Sequence, residues 1–442
     1  MPRTATRPLL VFGDFALLIL AVPATLLIRY LGIPSAALLM AHLESFSLLA
    51  LLFIAVFFSA GLYDPVTTIM RRELPGTIFW AQVVNIIIAA LFFFFVPVFG
   101  ITPKTNLIIY LLVSVPILSI WHLVVPRFQK EKGTAIMIGD GPDVAEVLHE
   151  CQSGSNSFRV VQHIPIAAAS ALEIEHALAA ARPDFLIVDL GDDRVQPALS
   201  VAAHTPVVLV DFSDVYEEFF RRLPLSTLSH QWLLSNSRPE RVVYDIAKRA
   251  FDIAWGSVLS LALGCLIPFI WVAVRLEGGG PLFISQKRMG REGSTITVLK
   301  FRSMRHNKSA SSEWTVEEKV HNPVTAVGAF LRKTSLDELP QVISVFKGEL
   351  SLIGPRSDIA GLAERLAEAI PYYMLRYSVT PGISGWAQVN QRYSPGNISP
   401  QSIEESRIRL AYDLYYVKHR SFLLDISILF RTLKTLMSRW VA

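Results

Sequence analysis

Hydrophobic positions along this chain fall into two textures. In the first 130 residues they run in four long blocks, residues 9–28, 46–62, 77–98 and 106–125, separated by short loops. Each approaches the ~20 residues an α-helix needs to cross the hydrocarbon of a bilayer, where every backbone polar group must find its partner within the protein. The pattern predicts a bundle of four spans over residues 1–130. From Gly133 the apolar runs shorten to strand length, as in "TAIMIGD", "DFLIVDL" and "PVVLVDF", and alternate with Ala-rich or polar helical stretches. That is the rhythm of a small parallel α/β domain, placed at residues 131–237. A fifth apolar block, residues 251–275, opens the last region, residues 238–442. Near its end Phe422, Leu423, Ile426, Leu429, Phe430, Leu433, Leu436, Met437 and Trp440 recur at steps of three and four, opposite Asp425, Arg431, Lys434, Ser438 and Arg439. This predicts an amphipathic helix, lying in the headgroup layer or packed on its own domain.

Charge adds direction. Arg3 and Arg7, then Arg71 and Arg72, then Arg127, Lys130 and Lys132 fall on one side of the four blocks, against Arg29 and Lys104 on the other. By the positive-inside rule both ends of the bundle are cytoplasmic. Lys248 and Arg249 precede the fifth block, Arg275, Lys287, Arg288 and Arg291 follow it, and Pro268 stands inside it. A proline there removes a backbone hydrogen bond and kinks a helix. The expectation is a re-entrant helix that enters one leaflet and returns, leaving the downstream region cytoplasmic; a straight fifth span is the alternative. Just over half of the residues are hydrophobic and 18% are charged, below the roughly 25% of soluble proteins, as a membrane protein requires. The net charge of +4 suits anionic headgroups or phosphate substrates and gives no support to a nucleic-acid partner. Two cysteines, Cys151 and Cys265, are too few for a disulfide framework or a metal knuckle.

Candidate chemistry is unevenly spread. The turn Gly139-Asp140-Gly141 stands where a dinucleotide fold needs one, but Val144 replaces the third glycine and no acid follows a second strand to hold a ribose. The α/β domain therefore reads as a degenerate Rossmann-like fold with a structural or regulatory role. Residues 276–302 read as a hairpin in which Gln286, Arg288, Lys300 and Arg302 alternate along the strands, so that some share a face able to meet a diphosphate. In "RKTSLDELPQ", residues 332–341, Pro340 requires a helix beginning at about Asp337, with Asp337 as its cap. Ser335 and Glu338 also fit a capping box, and capping alone accounts for this decapeptide. Gly354-Pro355-Arg356, Pro381-Gly382 and Gly385-Trp386-Ala387-Gln388 follow within sixty residues, as sharp turns able to present Arg356 or backbone amides to an anion.

Taken together, "KRAFDI", "KFRSM", "RKTSLDELPQ", "GELSLIGPR", "PGISGWAQVN" and "DLYYVKHRSFLLDISIL" resemble, in order and spacing over residues 245–440, the bacterial sugar transferases. These are the polyprenyl-phosphate hexose-1-phosphate transferases, or monotopic phosphoglycosyl transferases. The bundle and epimerase-like α/β region ahead resemble the large form of the family. The resemblance implies transfer of a hexose 1-phosphate, glucose or galactose, from a UDP-sugar to undecaprenyl phosphate at the bacterial inner membrane, releasing UMP, as the initiating step of exopolysaccharide, capsule or O-antigen synthesis. It implies Asp337 as nucleophile and Glu338 as a Mg²⁺ ligand or ligand orienter, with both acids at the metal. Lys300, Arg302, Arg332, Arg356 and Gln388 are implied as contacts to phosphates and substrate. Asn322-Pro323-Val324 and Ser357 depart from the family's Asp-Pro-Arg string and from the proline that follows its Gly-Pro-Arg. A helix N-terminus at Asp337 is expected to keep that carboxylate ionised. The α/β domain is a candidate element for a homodimer. Two other classes remain open: an NAD-dependent sugar-modifying enzyme built on Gly139 and Gly141, and a membrane scaffold in which the two acids only cap a helix.

Overall fold

The computed structural model describes residues 6–64, 74–96, 104–125, 133–152, 158–228, 241–277, 280–304, 324–393 and 399–441. Arg3, Arg71, Arg72, Arg127, Lys130, Lys132, Asn322 and Pro323 lie outside them, as do the side chains of Arg7, Lys104, Ser438, Arg439 and Trp440. The chain forms two compact units, residues 1–220 and 221–442.

The first unit opens with four apolar helices, α1 (Thr6–Tyr30), α2 (Ala36–Ser59), α3 (Leu74–Phe95) and α4 (Lys104–Val124). All four are long and apolar enough to cross a membrane. Helix α2 starts ten residues before the apolar run does. Ser35 caps it by accepting from Leu38 N–H, and His42 is buried where it accepts from Asn106 Nδ2 at 3.1 Å. His42 and Ser45, which interrupt the sequence pattern, therefore belong to the bundle interior, whereas Glu44 between them is exposed. The same holds for Asp14, which is fully buried and accepts from Tyr63 at 2.7 Å while pairing with His122 at 2.8 Å. Polar groups inside an apolar bundle are retained when paired in this way.

A four-stranded parallel sheet follows, with β1 (Gly133–Ile138), β2 (Phe158–Ile164), β3 (Phe185–Val188) and β4 (Val208–Asp211) in the order β2-β1-β3-β4. Strands β1 and β3 are buried along nearly their whole length. Apolar clusters cover both faces, as a parallel sheet between helices requires. The Gly139-Asp140-Gly141 turn links β1 to α5 (Pro142–Gln152). Gly141 takes φ +105°, a conformation reserved for glycine.

In the second unit a single 35-residue helix, α6 (Val242–Leu276), contains the fifth apolar block and runs through Pro268. Its first half is tied to the rest of the unit: Arg249 donates to the carbonyls of Val345 and Phe346, and Asp252 accepts from Leu352 N–H. Its C-terminal end is tied to the same unit. Val274 C=O accepts from Arg302, and Glu277 accepts from the N–H groups of Ala326 and Val327. Between these ends Phe269, Val272 and Leu276 are exposed.

After α6 come the antiparallel hairpin β5 (Phe283–Met289) and β6 (Thr295–Phe301), then α7 (Ala326–Thr334). A 3₁₀ turn over Leu336–Gln341 leads into α8 (Val342–Lys347). Two short strands, β7 (Ser351–Ile353) and β8 (Gly382–Ser384), pair in parallel. The unit ends with α9 (Ile403–His419) and α10 (Phe422–Val441). The last helix corrects the face assigned from sequence. Asp425, placed on the polar side, is fully buried, where it accepts from Tyr244 and Tyr416 and pairs with Lys248. Ile428 is buried beside it, whereas Phe422, Leu423, Phe430, Leu433 and Met437 are exposed. The core-facing side thus includes the carboxylate, which the two tyrosines and the lysine satisfy, together with Leu429, while the exposed apolar positions point outward.

Candidate active site

The acid pair sits on a reversal between two helices. Thr325 caps α7 by accepting from Gly328 N–H at 3.0 Å. Gly328 lies flat against the backbone of Ser303, where a Cβ would overlap, so α7 packs directly on the chain leaving β6. Ser335 ends the helix in the left-handed conformation, φ 58°. The chain then turns into the 3₁₀ segment that carries Asp337 and Glu338 in its first turn. The expected cap and capping box are absent. Ser335 makes no side-chain capping bond, Glu338 turns to cations instead, and the α-helix begins only at Val342. Pro340 explains the shift, because a residue without an N–H cannot join an i→i−4 ladder and a 3₁₀ turn accommodates it.

The hairpin supplies the cations. In the antiparallel register Gln286 faces Val298, Arg288 faces Ile296 and Ile284 faces Lys300, so period-two alternation puts Gln286, Arg288 and Lys300 on one face. Lys300 Nζ donates to Glu338 Oε1 at 2.7 Å. Arg356, from the turn after β7, donates from Nη1 to Glu338 Oε2 at 2.8 Å and from Nη2 to Oε1. This is the bidentate fork at which arginine excels. Arg288 donates to Ser357 C=O at 2.5 Å and to Gln286 Oε1. Arg332 stands near Asp337 and donates to Ser303 Oγ at 2.8 Å.

The two neighbouring acids have opposite electrostatics. Burial raises Glu338, but the charges of Arg356 and Lys300 and the hydrogen bonds they donate outweigh it and hold the carboxyl well below its ordinary range. Asp337 moves the other way: burial first, then the Glu338 charge, push it up against the pull of Lys300, Arg332 and Arg356. The expected depression of Asp337 by a helix end is therefore not what the site provides. No described residue donates a hydrogen bond to Asp337, whereas the oxygens of Glu338 are clamped. Burial lowers Lys300 to about 8, with Glu338 opposing and the charges of Arg288 and Arg356 adding.

Lys300, Arg332, Arg356, Asp337 and Glu338 thus come together, with Arg288 beside Lys300 on the hairpin. Arg302, Gln388 and Pro268 make no hydrogen bond to either acid among the described residues. Arg302 is buried, with one guanidinium nitrogen on Val274 C=O at the end of α6. Gln388 lies in the short helix Trp386–Asn390, its Oε1 buried beside Gly385 without a donor. Pro268 lies inside α6. One group escaped the sequence reading altogether. Behind Arg356 lie Asp358, Arg376, Arg409 and Asp413, all buried. Arg409 and Asp413 are spaced i,i+4 in a helix rich in buried aromatics, and that spacing was the available signal.

A family model described as bacterial sugar transferase matches residues 243–439. The chain is 33% identical over 267 residues to the UDP-N-acetylgalactosamine-undecaprenyl-phosphate N-acetylgalactosaminephosphotransferase of Aeromonas hydrophila, across 59% of this chain and 60% of that protein. It is 39% identical over 189 residues to the UDP-glucose:undecaprenyl-phosphate glucose-1-phosphate transferase of Escherichia coli K12, across 42% and 39%. The exopolysaccharide production protein PSS of Rhizobium leguminosarum bv. phaseoli is 34% identical over 197 residues, 44% of this chain but 96% of that protein. The chain belongs to the bacterial sugar transferase family. The family-model match begins at residue 243, one residue into α6, and takes in the hairpin and every residue of the acid site; the similarity to the Aeromonas protein is longer than that region. The chain spans less than two thirds of the length of the Aeromonas and Escherichia sugar transferases.

Proposed function

We propose that this protein transfers a sugar 1-phosphate from a UDP-sugar to undecaprenyl phosphate, with release of UMP, as the step that starts a polysaccharide on its lipid carrier. The observation that carries the reading is the contrast within the acid pair, one carboxylate clamped by two cations and its neighbour accepting no hydrogen bond from any described residue. The named activities of the Aeromonas and Escherichia relatives agree with it, as does the place of the Rhizobium protein in exopolysaccharide production.

In this reading an oxygen of Asp337 attacks the phosphorus that bears the sugar. The bond from that phosphorus to the bridging oxygen breaks and UMP departs, leaving an acyl phosphate ester on Asp337. An oxygen of undecaprenyl phosphate then attacks the same phosphorus and Asp337 leaves as carboxylate. The bond from the sugar C1 to oxygen is never broken. Attack of an anion on an anion needs charge neutralisation. Lys300, Arg332 and Arg356 supply it, and Glu338 holds two of them in place. Magnesium uses one or two protein carboxylates and takes the rest of its shell from water and substrate oxygens. Among the described residues no cluster of three or more potential ligands exists. Glu338 is engaged by Lys300 and Arg356, so Asp337 would hold the ion together with the diphosphate, and Glu338 would act on it as an orienter. When bound, it would offset further phosphate charge.

The four helices α1–α4 serve in this reading as spans. Both ends of α6 bond to the same unit, which supports a helix that enters the membrane and returns rather than one that crosses. A straight 35-residue helix measures about 52 Å, more than the roughly 30 Å of hydrocarbon, so length alone allows α6 to cross and it is the anchoring of both ends that favours return. The outward apolar stripe of α10 suits the headgroup layer. Both features support a site on the cytoplasmic face of the inner membrane, where soluble UDP-sugar and lipid phosphate meet, and in this reading the α/β domain is a degenerate Rossmann-like element. The test is UMP release from a panel of UDP-sugars, glucose and galactose first, with undecaprenyl phosphate as acceptor. Asp337→Asn is expected to abolish release from every donor, and turnover retained by that variant would sink the assignment.

A further inference from the structure

Arg356 grips Glu338 with a side chain partly open to solvent, yet the backbone behind it is among the most heavily bonded in the unit. Its own carbonyl accepts from Arg376 Nη2 and from Arg409 Nη2, each at 2.8 Å. The Ser357 carbonyl accepts from Arg288, and the Asp358 carbonyl accepts from Met289 N–H at 2.9 Å. On the other side Pro355 C=O accepts from Gly382 N–H, and Gly354 N–H donates to Ser384 C=O. Four consecutive carbonyls, of residues 355–358, are thus all engaged.

The two arginines that hold the Arg356 carbonyl are themselves oriented by one carboxylate. Asp358 accepts from Arg409 Nη1 at 2.8 Å, from Arg376 Nη1, and from the hydroxyls of Tyr373 and Tyr377, each at 2.7 Å. Asp413 faces the pair from α9, with its Oδ2 at 2.6 Å from Arg376 Nη2 and 3.7 Å from Arg409 Nε. Two cations and two anions cancel within a nearly dry space: Arg376 is 0% exposed, Asp413 1%, and Asp358 and Arg409 6% each. Well-packed apolar residues of similar volume would stabilise such an interior as well or better, so a buried ionic quartet is weak evidence for stability and points toward fixed geometry.

We infer that Asp358 is a positioning residue for the reaction, acting through Arg376 and Arg409 to fix the backbone from which Arg356 reaches the acid pair. The inference rests on the proposed role of Arg356 at the phosphates. Two parallel hydrogen bonds from a planar fork to one carboxylate tolerate little displacement. A site built on such a fork needs its supporting backbone held to a fraction of an ångström. Asp358 touches neither of the reacting acids, and its hydrogen bonds reach the site through that backbone.

A double-mutant cycle reads this directly. Asp358→Asn in the otherwise native protein is expected to lower kcat/KM for UMP release about tenfold or more. In an Arg356→Lys background, where no bidentate fork remains to be aimed, the same change is expected to cost about twofold or less. Equal losses in the two backgrounds would overturn the inference, because a purely structural role weakens both alike. Tyr377→Phe removes one hydroxyl from Asp358 while keeping the ring; it is expected to show a smaller loss with the same non-additivity, and it carries the cycle if Asp358→Asn does not fold. The cycle is measured in parallel on equilibrium binding of UDP-glucose to the full-length protein. Native protein that binds UDP-glucose but releases no UMP would count against the proposed reaction, while the binding cycle still decides the positioning role.

Discussion

Replacing Glu338 by glutamine keeps the shape of the side chain and removes the one negative charge that Lys300 and Arg356 share. Lys300 Nζ stands 2.7 Å from Glu338 Oε1. At that separation an effective dielectric of about 20 gives an attraction of about 6 kcal/mol. Both partners retain some contact with solvent, 13% and 15% of their side-chain surface, so roughly a third of that, ~2 kcal/mol, is expected to survive screening. One pKa unit corresponds to about 1.36 kcal/mol, which makes the loss worth ~1 to 1.5 units. Lys300 already titrates near 8. Glu338 is the partner that raises it, so Glu338→Gln takes it lower still. Protonated Lys300 is needed to meet phosphate, and kcat/KM reports the free enzyme. The native protein is therefore expected to lose kcat/KM as pH rises through about 8, and the variant to lose it ~1 to 1.5 units earlier. The Glu338 charge also raises Asp337, so the acid limb should move down as well, carrying the whole profile to lower pH. The assay is UMP release at subsaturating UDP-glucose across the pH range. An alkaline limb that stays in place or moves upward in Glu338→Gln would refute the pairing.

Other expectations follow from the same geometry. Arg356→Lys keeps the charge but loses the fork, and kcat/KM for UMP release should fall by roughly ten- to a hundredfold, the worth of one or two charge-assisted hydrogen bonds. Glu338 is held below its unfolded value by its partners, so its contribution to stability is complete above its ordinary pKa and is lost as pH falls through the folded one; thermal midpoints in detergent should fall on acidification, and less so in Glu338→Gln. Gly328→Ala forces a methyl group into the Ser303 backbone and should cost ~1–3 kcal/mol by denaturant titration, with a larger loss of activity than of fold because α7 leads directly into the turn that carries the acid pair. Chelation with EDTA should reduce UMP release and added Mg²⁺ should restore it.

The elements that read clearly in the sequence were those set by a single periodicity: the four apolar helices, the hairpin, the strands of the parallel sheet. The failures share one cause. Asp425 was assigned to the outer face of α10 because charge in an amphipathic pattern is taken to face water, but Tyr244 and Lys248 from distant α6, with Tyr416 from the preceding helix, satisfy it. His42 shortened the apparent second span for the same reason, since its partner Asn106 lies two helices away. At the acid site, local capping rules fitted Ser335, Asp337 and Glu338 well, yet Glu338 is claimed by Lys300 and Arg356 from opposite sides in sequence. The identity of the pair was legible; the division of labour within it was not, because it depends on which carboxylate the cations reach.

The most direct measurement is the covalent state of Asp337. Purified protein is incubated with a UDP-sugar in the absence of undecaprenyl phosphate, and the peptide bearing residues 336–341 is examined by mass spectrometry. The expected result is a sugar-phosphate adduct on Asp337, formed as UMP appears, discharged by added undecaprenyl phosphate, and missing from Asp337→Asn. Transfer of sugar phosphate to the lipid with no adduct on that peptide, or with Asp337→Asn still active, would contradict the account.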